Sequence, residues 1–419
     1  MKKVVQVLGF LSTLCGVSYG FAPVNFLKSN DQFYRMYPPR SRKSSVSIES
    51  GRTSSSLNFD GRRRNLLAVY SDNQSVIPML KNPTESINVL IVGKQLGQLA
   101  QAPTLKSDGL VSFSGTFQET DVTIFTGYGW RISKVPGKFA LSLFVPSKTK
   151  KVTDVTFKDL TSGILESSMN LQAFIRNLKT NVKDLGGLDL DDWMDAGIGD
   201  VSASIEWNVS IKREKELVKN ILMLVRLGLL IPTARQKDED RVFSMPLGSD
   251  GAWGIPVGIG LELDFKRYCR AGFYADFLGL FDVTRARRLK TQLNQSNFLL
   301  LNKGNATKRH GLHWQAETFL QWYHAVRGLS FKLAHLLVKQ HTDRLIARDD
   351  QFSNEIINTS KGLKGWHIHN IMMQATYDFS EQFGTSSISP SASLFYKFPL
   401  GGKAIIDNQT FGGQVGFGF

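Results

Sequence analysis

The chain has 419 residues, 42% of them hydrophobic, and carries a formal net charge of +15 with a sequence pI near 9.7. That length suits two ordinary soluble domains or one large barrel. Mean hydropathy is −0.15, and no stretch supplies the ~20 apolar residues of a spanning helix, so a helical membrane protein is excluded.

The first element is a leader. Met1-Lys2-Lys3 is basic, Val4 to Val17 is apolar, and Ser18-Tyr19-Gly20 offers small residues for cleavage after Gly20. This resembles a bacterial secretory signal peptide over 1–20. Cys15 is preceded by Leu14 where a lipoprotein wants a small residue, and beyond the leader only Cys269 remains. A disulfide framework and a cysteine metal site are thereby excluded. Residues 21–109 are polar, basic and turn-rich, as in Pro38-Pro39-Arg40-Ser41-Arg42-Lys43 and Arg62-Arg63-Arg64. They read as an N-terminal arm, either a plug folded into a lumen or a periplasmic tail. Within it, Asn82-Pro83-Thr84 is similar to a motif in the hatch of fatty-acid-transporter barrels, with threonine where those carry alanine.

From residue 110 onward, period-two alternation recurs. Val201, Ala203, Ile205, Trp207, Val209 and Ile211 oppose Ser202, Ser204, Glu206, Asn208, Ser210 and Lys212; Val257, Ile259, Leu261, Leu263 and Phe265 oppose Gly258, Gly260, Glu262, Asp264 and Lys266. A helix does not keep period two over such lengths. The alternation predicts strands at 110–118, 121–132, 137–147, 201–212, 217–231, 252–266, 269–283, 312–325, 328–342, 365–379, 388–399 and 409–419, with a first hairpin at Glu119-Thr120. In the first long loop, Ile164, Leu165, Leu171, Phe174, Ile175, Leu178 and Val182 fall at helical spacing. That spacing predicts an amphipathic helix over the mouth or folded into it.

Twelve strands with the first going outward put short inner turns at 133–136, 213–216, 267–268, 326–327 and 381–387. Most outward connections are long. This is the loop asymmetry of an all-β, antiparallel transmembrane barrel of about 12 strands over 110–419, with periplasmic termini and long extracellular loops. The final strand supports it: Phe411, Gly413, Val415, Phe417 and Phe419 share one face. It resembles the closing strand of bacterial outer-membrane β-barrels. That resemblance implies that Phe411, Val415, Phe417 and Phe419 form the signal read by the barrel assembly machinery. The segments Gly228–Arg235 and Phe243–Pro256 also resemble strand–loop–strand joints of transporter-like outer-membrane barrels, over about 201–282.

No catalytic group stands out. All seven histidines lie between His310 and His369. His367 and His369 share a face with Ile371 and Met373, the place for interface residues rather than metal ligands. The His-x-Ser-Asn-Gly signature of outer-membrane phospholipase A is absent, and neither cofactor nor metal is called for. The lumen is expected to receive Glu206, Arg226, Glu262, Asp264, Lys266, Arg270, Asp276, Glu317 and Lys332. Ionisable groups at membrane depth are tolerated only against water or one another. Arg285, Arg287, Arg288, Lys290, Lys303, Lys308 and Arg309 form a cationic mouth that would attract anionic solutes or lipopolysaccharide. The sequence therefore reads as an outer-membrane channel or passive transporter for small solutes. The alternative is a surface structural or adhesive barrel with a closed lumen. Expected partners are outer-membrane lipid, lipopolysaccharide, the assembly machinery and small solutes, with a homo-oligomer left open and no nucleic acid.

Overall fold

The computed structural model describes residues 42–69, 71–80, 110–161, 169–213, 217–265, 269–326, 328–380 and 388–418. Residues 1–41, which include the expected leader, residues 81–109 and Phe419 lie outside these. Twelve antiparallel strands close on themselves: β1 (Arg42–Thr53), β2 (Leu110–Trp130), β3 (Lys138–Asp159), β4 (Val201–Lys212), β5 (Val218–Ile231), β6 (Gly254–Phe265), β7 (Cys269–Leu280), β8 (His313–Val326), β9 (Leu329–Gln340), β10 (Trp366–Asp378), β11 (Ser389–Lys403) and β12 (Thr410–Gly418). The closing seam sets Ser47 of β1 opposite Gln414 of β12 on one side and Thr123 of β2 on the other. No sheet edge is left in the wall.

Twelve strands agree with the sequence expectation, but three are drawn differently, β3 running on to Asp159 where the alternation predicts an end at 147. Residues 110–130 are one continuous strand, and there is no hairpin at Glu119-Thr120. Those polar residues look like a turn, yet they alternate across the wall. Glu119 and Asp121 point inward to Lys150 and Lys148, at 3.8 and 3.4 Å. Thr120 points outward, 3.0 Å from Ser50. The twelfth strand is β1, inside the stretch assigned to the arm, so the wall begins at residue 42 rather than 110. Its serine-rich sequence places Val46 and Ile48 outward, each about half exposed, and Ser45 and Ser47 inward and buried.

Connections sort by rim as expected. Residues 131–137, 213–217, 266–268, 327–328 and 379–388 join strands at one end, and all the long connections emerge at the other. At that far rim β2 and β3 run on past the ~10 residues a tilted strand needs to span a bilayer, and carry a folded cap. Its core gathers Leu66, Leu67, Ile77 and Met79 from the former arm, Phe113 and Val152 from the strand extensions, and Phe243 and Phe298 from later loops. Helices α1 (Met169–Arg176) and α2 (Leu178–Gly186) bury Leu171, Phe174, Ile175, Leu178 and Val182 there. The predicted apolar stripe is thus cap core, broken into two helices at Asn177; Ile164 and Leu165 lie outside the described residues. Residues 55–80 are likewise neither tail nor free arm. Ser55–Leu57 pairs with Ile405–Ile406, and Val76–Leu80 forms a short helix whose Val76, Ile77 and Met79 enter this core.

Candidate functional site: the inner wall and its cap

Alternation gives the wall two chemistries. Outward stand exposed apolar residues such as Ile124, Ile205, Leu227, Ile259, Leu394, Phe411, Val415 and Phe417. A surface so apolar is stable only against lipid or another apolar partner. Inward stands a ladder of ionisable side chains. Glu206, Arg226, Glu262, Arg270, Asp276, Glu317 and Lys332 are all at most 7% exposed. Asp264 is a fifth exposed at its side chain. Lys266 lies outside the described residues, as does Phe419 at the end of the last strand.

Strand register brings the ladder together. Across β4 to β8, Glu206 stands opposite Arg226, Arg226 opposite Gly258, Gly258 opposite Asp276, and Asp276 opposite Gln315. Arg226 pairs with Asp276 over the top of Gly258. A Cβ at that glycine would collide with the Asp276 carboxylate, so its missing side chain is what lets the two strands flanking β6 meet. Gln315 donates to the second Asp276 oxygen at 3.1 Å. Nearer the short turns, Arg270 bridges Glu262, at 3.2 Å, and Asp264. Tyr274 donates to Glu262 and lies flat over Gly260. Lys332 pairs with Glu317 and sits 4.6 Å over the Phe319 ring. Leu224, Tyr274, Phe319, Ala334 and Met372 form an apolar stripe between these pairs. Charges buried to this degree persist because each meets an opposite charge or a hydrogen bond. The sequence marked the ionisable residues; the aromatic stripe it missed, although Tyr274 and Phe319 fall on inward positions of their strands.

The histidines divide. His335 and His369 stack on the outward face with Nε2 and Nδ1 3.2 Å apart, and His367 stands edge-on to His369. His313 is fully buried against Trp366. Among the described residues no three His, Cys, Asp or Glu side chains form a metal-holding group.

The cationic mouth is largely neutralised by pairing. Arg285 and Arg287 converge on Asp250, Arg288 and Lys303 meet Asp240, Lys308 meets Asp343, and Arg309 meets Asp282. Burial alone would raise the Asp250 carboxyl; Arg287, Arg285 and Lys308 outweigh it and hold the group well below the usual carboxylate range. A depressed carboxyl contributes stability that is complete above its unfolded value of about 3.9 and is lost as pH falls through the lower folded value. The cap is therefore expected to keep this contribution at pH 4–5. Asp250→Asn should lose it at any pH, costing about 3–5 kcal/mol because the buried Arg287 guanidinium loses its hydrogen-bonded carboxylate, while Arg285 keeps Glu239. Hydrogen exchange across 284–311 at pH 7 checks this: protection equal to wild type would refute it.

No protein-family model matches the chain. An inner membrane protein of African swine fever virus, pE248R, is 26% identical over 186 residues, covering 40% of this chain and 73% of that protein. Among solved structures, an outer-membrane channel from Pseudomonas putida F1 superposes with a TM-score of 0.52 at 8% identity, covering 94% of this chain and all of that one. The Pseudomonas putida toluene transporter gives 0.34 at 8% identity over 91% of this chain and 89% of that chain. The architecture stands on the first of these and on the closed wall: the chain has the fold of an outer-membrane β-barrel.

Proposed function

We propose that the protein is an outer-membrane channel or passive transporter for small solutes, exported to the outer membrane of a Gram-negative-type bacterium. The observation that carries this reading is the inward band of Glu206, Arg226, Glu262, Arg270, Asp276, Glu317 and Lys332 at the depth of the apolar outer belt. Charge at membrane depth is costly and marks solute paths more often than scaffolding. A bore of this strand number falls between barrels filled by side chains and open porins, which limits passage to small solutes. Asp264 and Arg270, at the short-turn end of the band, set ion preference in this reading. Outward Phe411, Val415 and Phe417 serve as the contact for the assembly machinery.

A second reading draws on a specific observation. The band is nine-tenths buried or more, apart from Asp264, as in a closed barrel that acts through its cap as a surface structural or adhesive protein. Single-channel conductance of the refolded chain in a planar bilayer, with the reversal potential under a salt gradient, separates the two. The channel reading expects discrete steps whose ion preference shifts toward cations in Arg270→Ala and toward anions in Asp264→Ala. A silent barrel that still folds by circular dichroism would sink it and favour the closed surface barrel.

A further inference from the structure

The cap encloses a chamber of about 190 Å³ that meets the wall at Gln340, the last residue of β9. Six lysines and arginines line it against three carboxylates. Those carboxylates are already engaged: Asp250 by Arg285 and Arg287, Glu239 by Arg285, and Asp343 by Lys308. The lining therefore has positive charge to spare.

Arg287 is the informative residue. Its side chain is 8% exposed, and Nη1 is held by Asp250 at 2.8 Å. Nε and Nη2 are buried and have no partner among the described residues. These two nitrogens form the side edge of the guanidinium, with parallel N–H bonds spaced to meet both oxygens of a carboxylate or phosphate. Buried donors without partners are rare in folded proteins, and each calls for an explanation. His310, also lining the chamber, has a buried Nε2 with no partner among the described residues. Burial and the Lys308 ammonium, opposed by Asp343, bring His310 down to about 4, so the ring is neutral at pH 7. Lys290, 4% exposed, donates to the Leu293 carbonyl at 2.9 Å.

We propose that this chamber binds a small free oxyanion, a phosphate- or carboxylate-bearing solute, with the Nε–Nη2 edge of Arg287 as its bidentate anchor and Lys290 and His310 as flanking donors. The site is independent of an open lumen. A barrel that is silent in a bilayer but binds the anion keeps this site and loses only the channel reading.

The test is calorimetric titration of the refolded full chain in detergent with inorganic phosphate, and separately with acetate, at fixed ionic strength balanced by chloride. Saturable binding near one anion per chain is expected. Arg287→Lys keeps a positive charge beside Asp250 but lacks the forked edge, and should weaken phosphate by about tenfold or more. Lys290→Met, which leaves the Asp250 network untouched, should weaken it by a smaller factor and gives the answer if Arg287→Lys fails to fold. Absence of saturable heat with folded wild type would overturn the proposal. So would wild-type affinity in whichever of these variants folds, and so would dihexanoyl phosphatidate binding much more tightly than phosphate, which would place the anion on a lipid headgroup.

Discussion

Arginine in place of Ile259 will destabilise the refolded protein by about 2–4 kcal/mol in lipid, the cost of a charge on the lipid face near the bilayer midplane. Ile259 is 48% exposed and lies at the middle of β6, flanked in register by Val225 and Ala275. On a water-soluble barrel the same substitution would be nearly silent, because exposed positions away from special features tolerate change within about 0.5 kcal/mol. Leu293→Arg provides the contrast. Leu293 is 68% exposed in the cap, and its variant should unfold with wild type. Urea titration in vesicles reads both. Equal midpoints for the two variants would mean that the apolar belt does not face lipid, and the transmembrane assignment would fall with it.

The second large effect is inside. Asp276→Leu removes the partner of Arg226 at a site where both side chains are at most 6% exposed, and should cost about 3–5 kcal/mol. Joining it to Arg226→Met should restore most of the loss, since exchanging a buried ion pair for apolar groups of similar volume is often neutral. The same titration measures the cycle. If the double variant is as unstable as the single, the pair is tied into a wider network through Gln315 and neighbouring groups, and the pairwise account of the ladder fails.

How legible this was in the sequence depended on how different the two sides of each segment are. Lipid and lumen impose opposite chemistry on alternate residues, so β4, β6, β7 and β12 could be read almost to their ends. β1 could not. Only Val46 and Ile48 mark its lipid face, and its neighbours Gly412, Gly413 and Gly416 on β12 demand little bulk from it. A serine-rich strand against a glycine-rich one carries almost no hydropathy contrast. At Glu119-Thr120-Asp121, three consecutive polar residues imitate a turn, and only their partners Lys150, Ser50 and Lys148 show that they continue a strand.

Within the candidate site, single ionisable residues were visible but their pairings were not. Arg226 and Asp276 are separated by fifty residues and meet through Gly258, a position that looks like a weak point of its strand until the chemistry above it is known. The cap was the least legible part. Its core joins the helical stripe of Leu171 to Val182 to short pieces of several other loops, such as Val242, Phe243 and Met245 or Phe298, Leu299 and Leu301, and outside that stripe no stretch shows a period. The chamber depends on Asp250, Arg285 and Arg287 meeting across a loop and a whole hairpin.

The seam between β1 and β12 has a consequence for how the molecule is made. Lys43 faces Gly418, so the contact that completes the ring joins the first strand of the wall to the last, across all the strands between them. Contacts of such long sequence separation form slowly, because the whole intervening polypeptide must be organised before the last pairing rewards it. Until then the chain carries two open strand edges able to pair with a neighbouring copy. Cooperative completion therefore rests on the arrival of the final nine-residue strand, and any shortening there should leave a folding intermediate that aggregates rather than a smaller barrel.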